Sequence, residues 1–290
     1  MFCAFAKMDA STKIHRKGFL MEKVKSFFKK HWVDIIVIAA VLGLVAYLCY
    51  NVYYRFSFAK KWDIFYDYFF TNGGYKKLLL GMQNTALIAV LGLLIGSLIG
   101  TLIAIIKVIP SYKKITRYAQ NVCGIYVAFF RGTPIVVQLL LGYYIILPLL
   151  SVTLSPVTSC TIIFGLNSGA YISEIMRGGI NSVDPGQLEA ARAVGLPFST
   201  SMLKVVVPQA VKNILPTMGN EFIALIKETA IVGYVGAVDI TKAFQDQGSN
   251  SYEYMIPYLI MALLYIVIVA VIASLVKLME RRLAKSERRK

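Results

Sequence analysis

Residues 85–109 read TALIAVLGLLIGSLIGTLIAIIKVI, a stretch in which Lys107 is the single charged side chain. A helix needs about 20 apolar residues to cross a hydrocarbon core of roughly 30 Å, so this segment reads as a membrane span. Within it Gly92, Gly96, Gly100 and Ala104 recur at every fourth position, which places four small residues on one helical face. Such a stripe admits close approach by another helix. The plainer reading, that glycine is common in membrane helices, stays open at this point.

Further apolar blocks lie on either side. One runs from Val33 to Tyr54, entered at Trp32 and left through Tyr47, Tyr50, Tyr53 and Tyr54, residues suited to the membrane interface. The block from Val122 to Leu150 is too long for one span and holds Arg131, which would be costly in lipid. Thr133 as N-cap and Pro134 as first helical residue place the start of this span there, with Arg131 at the interface and residues 112–130 as an amphipathic lead-in. By the same logic the next span opens at Ser155-Pro156 and closes near Arg177-Gly178-Gly179. Two more run from Asn213 to Val238 and from Ile256 to Val276. The expected fold is an all-α membrane protein with six transmembrane helices.

Composition agrees: 57% of the 290 residues are hydrophobic, 16% are charged, and the mean hydropathy is +0.64. The net charge of +16 does not point to nucleic acid, because the basic residues sit between apolar blocks and form no patch with interleaved aromatics. Threading the chain alternately through the bilayer puts 23 Lys and Arg residues on one side and six on the other, which predicts that both termini are cytoplasmic. Cys3, Cys49, Cys123 and Cys160 show no CxxC spacing, so neither a metal site nor a disulfide framework is expected. Residues 1–20 lack a cleavable apolar core, and the basic run after Met21 makes that methionine an alternative start.

Between the fourth and fifth spans lies Asn181-Ser182-Val183-Asp184-Pro185-Gly186-Gln187-Leu188-Glu189-Ala190-Ala191-Arg192-Ala193-Val194-Gly195. Asp184 can cap a helix, Pro185 can take its first position, and Gln187 falls where a capping box would place it. Gly195 stands where a left-handed residue ends a helix. A second short helix from Ser199 to Val207, stopping before Pro208, would complete a compact cytoplasmic elbow. Ala190 and Ala191 would give it a flat face for docking, with Glu189 and Arg192 orienting a partner by charge.

This loop resembles that of the permease subunits of binding-protein-dependent ATP-binding-cassette (ABC) importers, which carry Glu-Ala-Ala, three residues, then Gly. Here these are Glu189-Ala190-Ala191 and Gly195, continuing to Val207-Pro208-Gln209-Ala210. Phe129-Phe130-Arg131-Gly132-Thr133-Pro134, the stretch Ala170 to Ile180, and Gly219-Asn220-Glu221-Phe222-Ile223 resemble the polar amino acid branch, of histidine, glutamine and arginine type. The resemblance covers residue 80 onward. It implies a non-catalytic permease of a bacterial inner membrane that imports polar amino acids by alternating access. Its partners would be an ATP-binding subunit, an external solute-binding protein and a second permease copy, identical or related.

On that resemblance residues 1–32 form a basic cytoplasmic segment, and 33–83 form an extra N-terminal helix with an external amphipathic segment. Residues 84–277 form the five-helix permease core with its coupling loop at 184–207, and 278–290 form a basic tail. Coupling to the ATPase would fall to Asp184, Gln187, Glu189, Ala190, Ala191, Arg192 and Gly195. No phosphate-loop motif occurs in the chain, so no cofactor is expected in it, and ATP and Mg would be used by the partner.

Ionisable residues inside spans are the remaining candidates. Glu174 stands three residues before Arg177, a spacing that allows pairing on one face and fits either a path residue or an ion pair that fixes helix depth. Glu221 and Glu228 share a face of the fifth span, and Lys227 is close enough for a local partner. For a polar amino acid, Glu221 or Glu228 would meet the ammonium, and Lys227 or Asn220 the carboxylate; packing and gating roles fit the same residues. The aromatic segment with Trp62, Phe65, Tyr66, Tyr68, Phe69 and Phe70 would lie on lipid or contact the binding protein. An ion-coupled secondary transporter is the alternative, although no internal repeat supports it. A membrane enzyme would need a constellation that His15 and His31, both in the basic N-terminal segment, do not supply.

Overall fold

The computed structural model describes residues 32–51, 53, 57–110 and 112–287. The N-terminal segment with Cys3, His15, Met21 and His31, together with Tyr54 and residues 288–290, lies outside them. Two compact units divide at Trp62. The first contains α1 (Trp32–Asn51) and the start of α2 (Phe58–Tyr66).

The second unit continues through a π-turn at Asp67–Thr71 into α3 (Gly74–Val108), then α4 (Lys114–Gly132) and α5 (Ile135–Leu149). Next come α6 (Pro156–Asn181), α7 (Pro185–Ala193), and the short α8 (Phe198–Ser201), which runs through a π-turn at Met202–Val206 into α9 (Val207–Glu228). A 3₁₀ segment, Thr229–Val235, precedes α10 (Ile240–Ser251) and α11 (Met255–Glu287).

The seam between α3 and α6 organises this unit, and the glycine stripe accounts for it. A Cβ on Gly96 would lie 2.8 Å from the Ser168 Cβ, and one on Gly100 would lie 2.8 Å from Ile172. The approach is mutual, since Gly165 and Gly169 of α6 meet Ile95 and Ile99 of α3 at 2.6 and 2.9 Å by the same measure. In lipid, where apolar surface gains little by leaving the solvent, such backbone proximity is what lets helices associate. At the end of this seam away from the elbow, Ile88, Ala89, Leu139, Cys160 and Phe164 pack with Leu225, Val232 and Val235 in one core.

Among the described residues three helices, Trp32–Asn51, Gly74–Val108 and Met255–Leu283, are individually long and apolar enough to cross a membrane. The α4–α5 pair, bent by 106°, meets the same test jointly. The other two expected spans, α6 and α9, are long enough but too polar to meet it.

Several local expectations change. The segment before Pro134 is the amphipathic helix expected, and one face of it packs on the bundle: Gln120 Nε2 donates to the carbonyls of Ile106 and Ile109 at 3.1 and 2.8 Å, and Val127 packs against Ile103 and Ala170. Helix α4 therefore packs beside α3, and Arg131 lies at the break between α4 and α5. Pro134, extended at φ −63° and ψ 138°, is the cap of α5, while the Thr133 hydroxyl turns back to donate to Phe129 O at 2.8 Å.

Pro208 does not stop the second elbow helix. The i→i+5 bond from Val207 N to Met202 O absorbs the proline, and the helix runs on to Glu228. The fifth span ends there and not at Val238, because the 3₁₀ turn closes on Gly236 at φ +82° and folds Val232, Val235 and Ala237 back into the core. Of the aromatic segment, Phe65 is buried and stacks on Phe69, whereas Tyr66 and Phe70 stay exposed.

Candidate functional site

The elbow forms from two caps and an apolar floor. Asp184 Oδ1 accepts from Gly186 N at 2.9 Å and Pro185 opens α7. The helix ends with Gly195 N donating to Arg192 O at 2.9 Å and Leu196 N to Ala191 O at 3.2 Å, closed by Gly195 at φ +89°. This paired bond pattern needs a left-handed residue, which the glycine supplies. Gln187 completes no capping box; its Oε1 accepts from Gln209 Nε2 at 3.5 Å, linking α7 to α9. Val183, Met202, Val206, Ala210 and Ile214 form the floor, with Leu188 and Phe198 against them.

Ala191 is buried at 7% exposure, so only Ala190 of the alanine pair is available to a partner. Glu189, Ala190, Arg192 and Ala193 face outward. Val194, which sequence reasoning passed over, is 78% exposed at the tip. Its apolar character beside a glycine turn was the available signal.

Glu174 sits where α3 and α6 approach the elbow. Its Oε2 accepts from Arg177 Nη2 at 2.7 Å, as the spacing suggested, and its Oε1 accepts from Lys107 Nζ at 2.8 Å, a partner on α3 that spacing could not reveal. With both oxygens engaged, Glu174 ties two helices together.

Glu221 faces α6, where Ser168 donates to its Oε1 at 2.9 Å. Asn220 is exposed. Lys227 makes no salt bridge among the described residues and opens on a cavity of about 690 Å³ whose walls, including Met261, Tyr265 and Ile266, are mostly apolar. Its local electrostatic partner is the adjacent Glu228 carboxylate.

Two further residues lie at the α4–α5 break. Gln138 is 5% and Asn167 3% exposed. Gln138 Nε2 donates to Phe130 O at 2.8 Å, to Thr133 O at 3.0 Å and to Thr133 Oγ1 at 2.9 Å, while its Oε1 accepts from Asn167 Nδ2 at 2.8 Å. These bonds satisfy carbonyls that the broken helix frees in a place with little water. No group of three or more His, Cys, Asp or Glu among the described residues is arranged to hold a metal ion.

The family described as binding-protein-dependent transport system inner membrane component matches residues 92–285. A chain of Rickettsia typhi named as a glutamine transport system permease protein is 37% identical over 212 residues, covering 72% of this chain and 95% of the relative. The arginine transport system permease protein ArtQ of Bacillus subtilis is 36% identical over 210 residues, covering 72% and 94%. Among solved structures, an amino acid ABC transporter crystallised with histidines superposes with a TM-score of 0.68 at 38% identity, covering 74% of this chain and 98% of that one. The MetNI methionine ABC transporter, at 18% identity and a TM-score of 0.62, shares the fold.

Proposed function

The chain belongs to the family of inner-membrane components of binding-protein-dependent transport systems, multi-pass and non-catalytic permease subunits, and from that premise we propose that it imports a polar amino acid, gripped by its ATP-binding subunit at the elbow of residues 184–207. The observation that carries this reading is the elbow itself: a helix closed at both ends, held on an apolar floor, with Glu189, Ala190, Arg192 and Val194 turned outward. An exposed apolar tip with a charged rim is the kind of surface that a protein contact covers. Asp184 and Gly195 fix the shape of the elbow, Gln187 ties it to α9, and Ala191 seats it.

In this reading both termini are cytoplasmic, which the excess of Lys and Arg on one side supports. Two permease copies, identical or related, enclose the path. ATP and Mg act in the partner subunit, and an external solute-binding protein delivers the amino acid. Glu221 and Glu228 meet its ammonium group, Asn220 and Lys227 line the path beside them, and Glu174 holds the inner end as a gate. The names of the two relatives support glutamine or arginine as the class of substrate.

The test is cross-linking in membranes where uptake is active. An Ala190→Cys permease is expected to capture the ATP-binding subunit, and uptake into vesicles is expected to require ATP and to persist without an ion gradient. Uptake that follows an ion gradient without that subunit would return the secondary-transporter reading.

A further inference from the structure

The break between α4 and α5 leaves one cation without a counter-charge. Arg131 is exposed and makes no ion pair among the described residues; its recorded contact is the face of Tyr171, 5.6 Å from the guanidinium carbon to the ring centroid. The broken helix does not need it, because Gln138 already satisfies Phe130 O and Thr133 O. Glu174, three residues beyond Tyr171, is occupied on both oxygens by Lys107 and Arg177.

The depth of the break decides what Arg131 can face. Helix α6 has 26 residues, about 39 Å of axis, and Asn167, within 3.4 Å of Phe130 O, lies about 16 Å along it. A lone guanidinium at mid-span is costly against hydrocarbon, so its place is a wet surface open to an anion. Tyr171 takes the guanidinium by its face and leaves the in-plane N–H groups free, the arrangement that accepts a carboxylate through two parallel bonds. The opposite charge stands at the same level: Asn167 fixes the break, and the next residue, Ser168, holds Glu221. Lys227, by contrast, opens on apolar walls.

We propose that Arg131 binds the α-carboxylate of the amino acid in transit, with Gln138 and Asn167 as positioning residues that hold its helix end. This rests on the amino acid reading above and moves the carboxylate contact from Lys227 to Arg131. Glu221 remains the group for the ammonium.

The experiment uses the complete permease with its ATP-binding subunit, without the solute-binding protein, so that selection belongs to the permease. Equilibrium binding is measured for L-glutamine, L-arginine and L-histidine and for their α-carboxamides. Arg131→Gln is expected to weaken the bound acid by about 10- to 100-fold, the range for losing a charge-assisted contact, and to leave its amide within about twofold. Arg131→Lys keeps the charge for assembly but not the two-pronged geometry, and is expected to weaken the acid more than the amide. Gln138→Met is expected to reduce the preference for acid over amide without abolishing it. Equal effects on acid and amide, or no effect on either, overturn the proposal. A wild-type complex that transports one of the three yet binds acid and amide alike overturns it while sparing the amino acid reading. Failure of the wild type to bind or transport any of them overturns both.

Discussion

Gly96 and Ser168 meet across the α3–α6 seam so closely that the glycine can carry no side chain unless a backbone moves. The same serine donates to Glu221, so the seam that holds two spans together also sets the position of a half-buried carboxylate on a third helix.

Gly96→Val should separate α3 from α6 and destabilise the assembled complex by about 1–3 kcal/mol, the usual range for overpacking. Gly124→Ala, where an added Cβ meets nothing within 4 Å, should be neutral or slightly stabilising. Thermal unfolding of the two purified complexes makes the comparison.

Gly195→Val forces a β-branched residue into φ +89°, a strain of about 1–2 kcal/mol that falls on the elbow alone. Substrate-stimulated ATP hydrolysis should drop several-fold while the permease still inserts. Unchanged stimulation would show that the elbow tolerates a different C-terminal turn.

Glu174→Gln removes the charge shared by Lys107 and Arg177, whose side chains are 21% and 44% exposed. The expected loss is about 1–3 kcal/mol, between the limits for exposed and buried pairs. Combining it with Lys107→Met should cost less than the sum of the single changes, because the lysine is then no longer left unpaired. A double-mutant cycle on melting temperature reads this directly.

Asp246 pairs with Lys77 at 2.5 Å and Lys242 at 2.8 Å. Partial burial works against its ionised form, but the hydrogen bonds and charges of Lys242 and Lys77 outweigh it and hold the carboxyl below the usual aspartate range. A depressed pKa in the folded state contributes stability that is fully present above the ordinary aspartate value and is lost as pH falls through the folded one. Between about pH 6 and pH 3 the melting temperature of the wild type should therefore fall more steeply than that of Asp246→Asn.

Much of this architecture could be read from the chain because the relevant signals are local. The four-residue glycine repeat specified a close helix contact, Ser155-Pro156 marked the start of α6, and Asp184 to Gly195 carried both ends of the elbow helix. What stayed hidden depends on partners far apart in sequence. Pro134 announced a break but not its depth, which is set by Gln138 and Asn167, 29 residues apart. Spacing gave Glu174 its neighbour Arg177, yet the bond to Lys107 spans 67 residues. Pro208 looked like a stop because a π-turn, which shifts the bonding register by one residue, leaves no mark that a search for helix ends would catch.

The unbroken run from Phe198 through Pro208 to Glu221 makes the elbow and the Glu221 carboxylate two ends of a single rod, about 35 Å long. Swinging one end of such a rod by about 10° carries the other through roughly 6 Å, close to one helical pitch. A modest pull at the elbow would thus become a displacement at Glu221 comparable to the size of an amino acid, with no flexible linker in which the stroke could be lost.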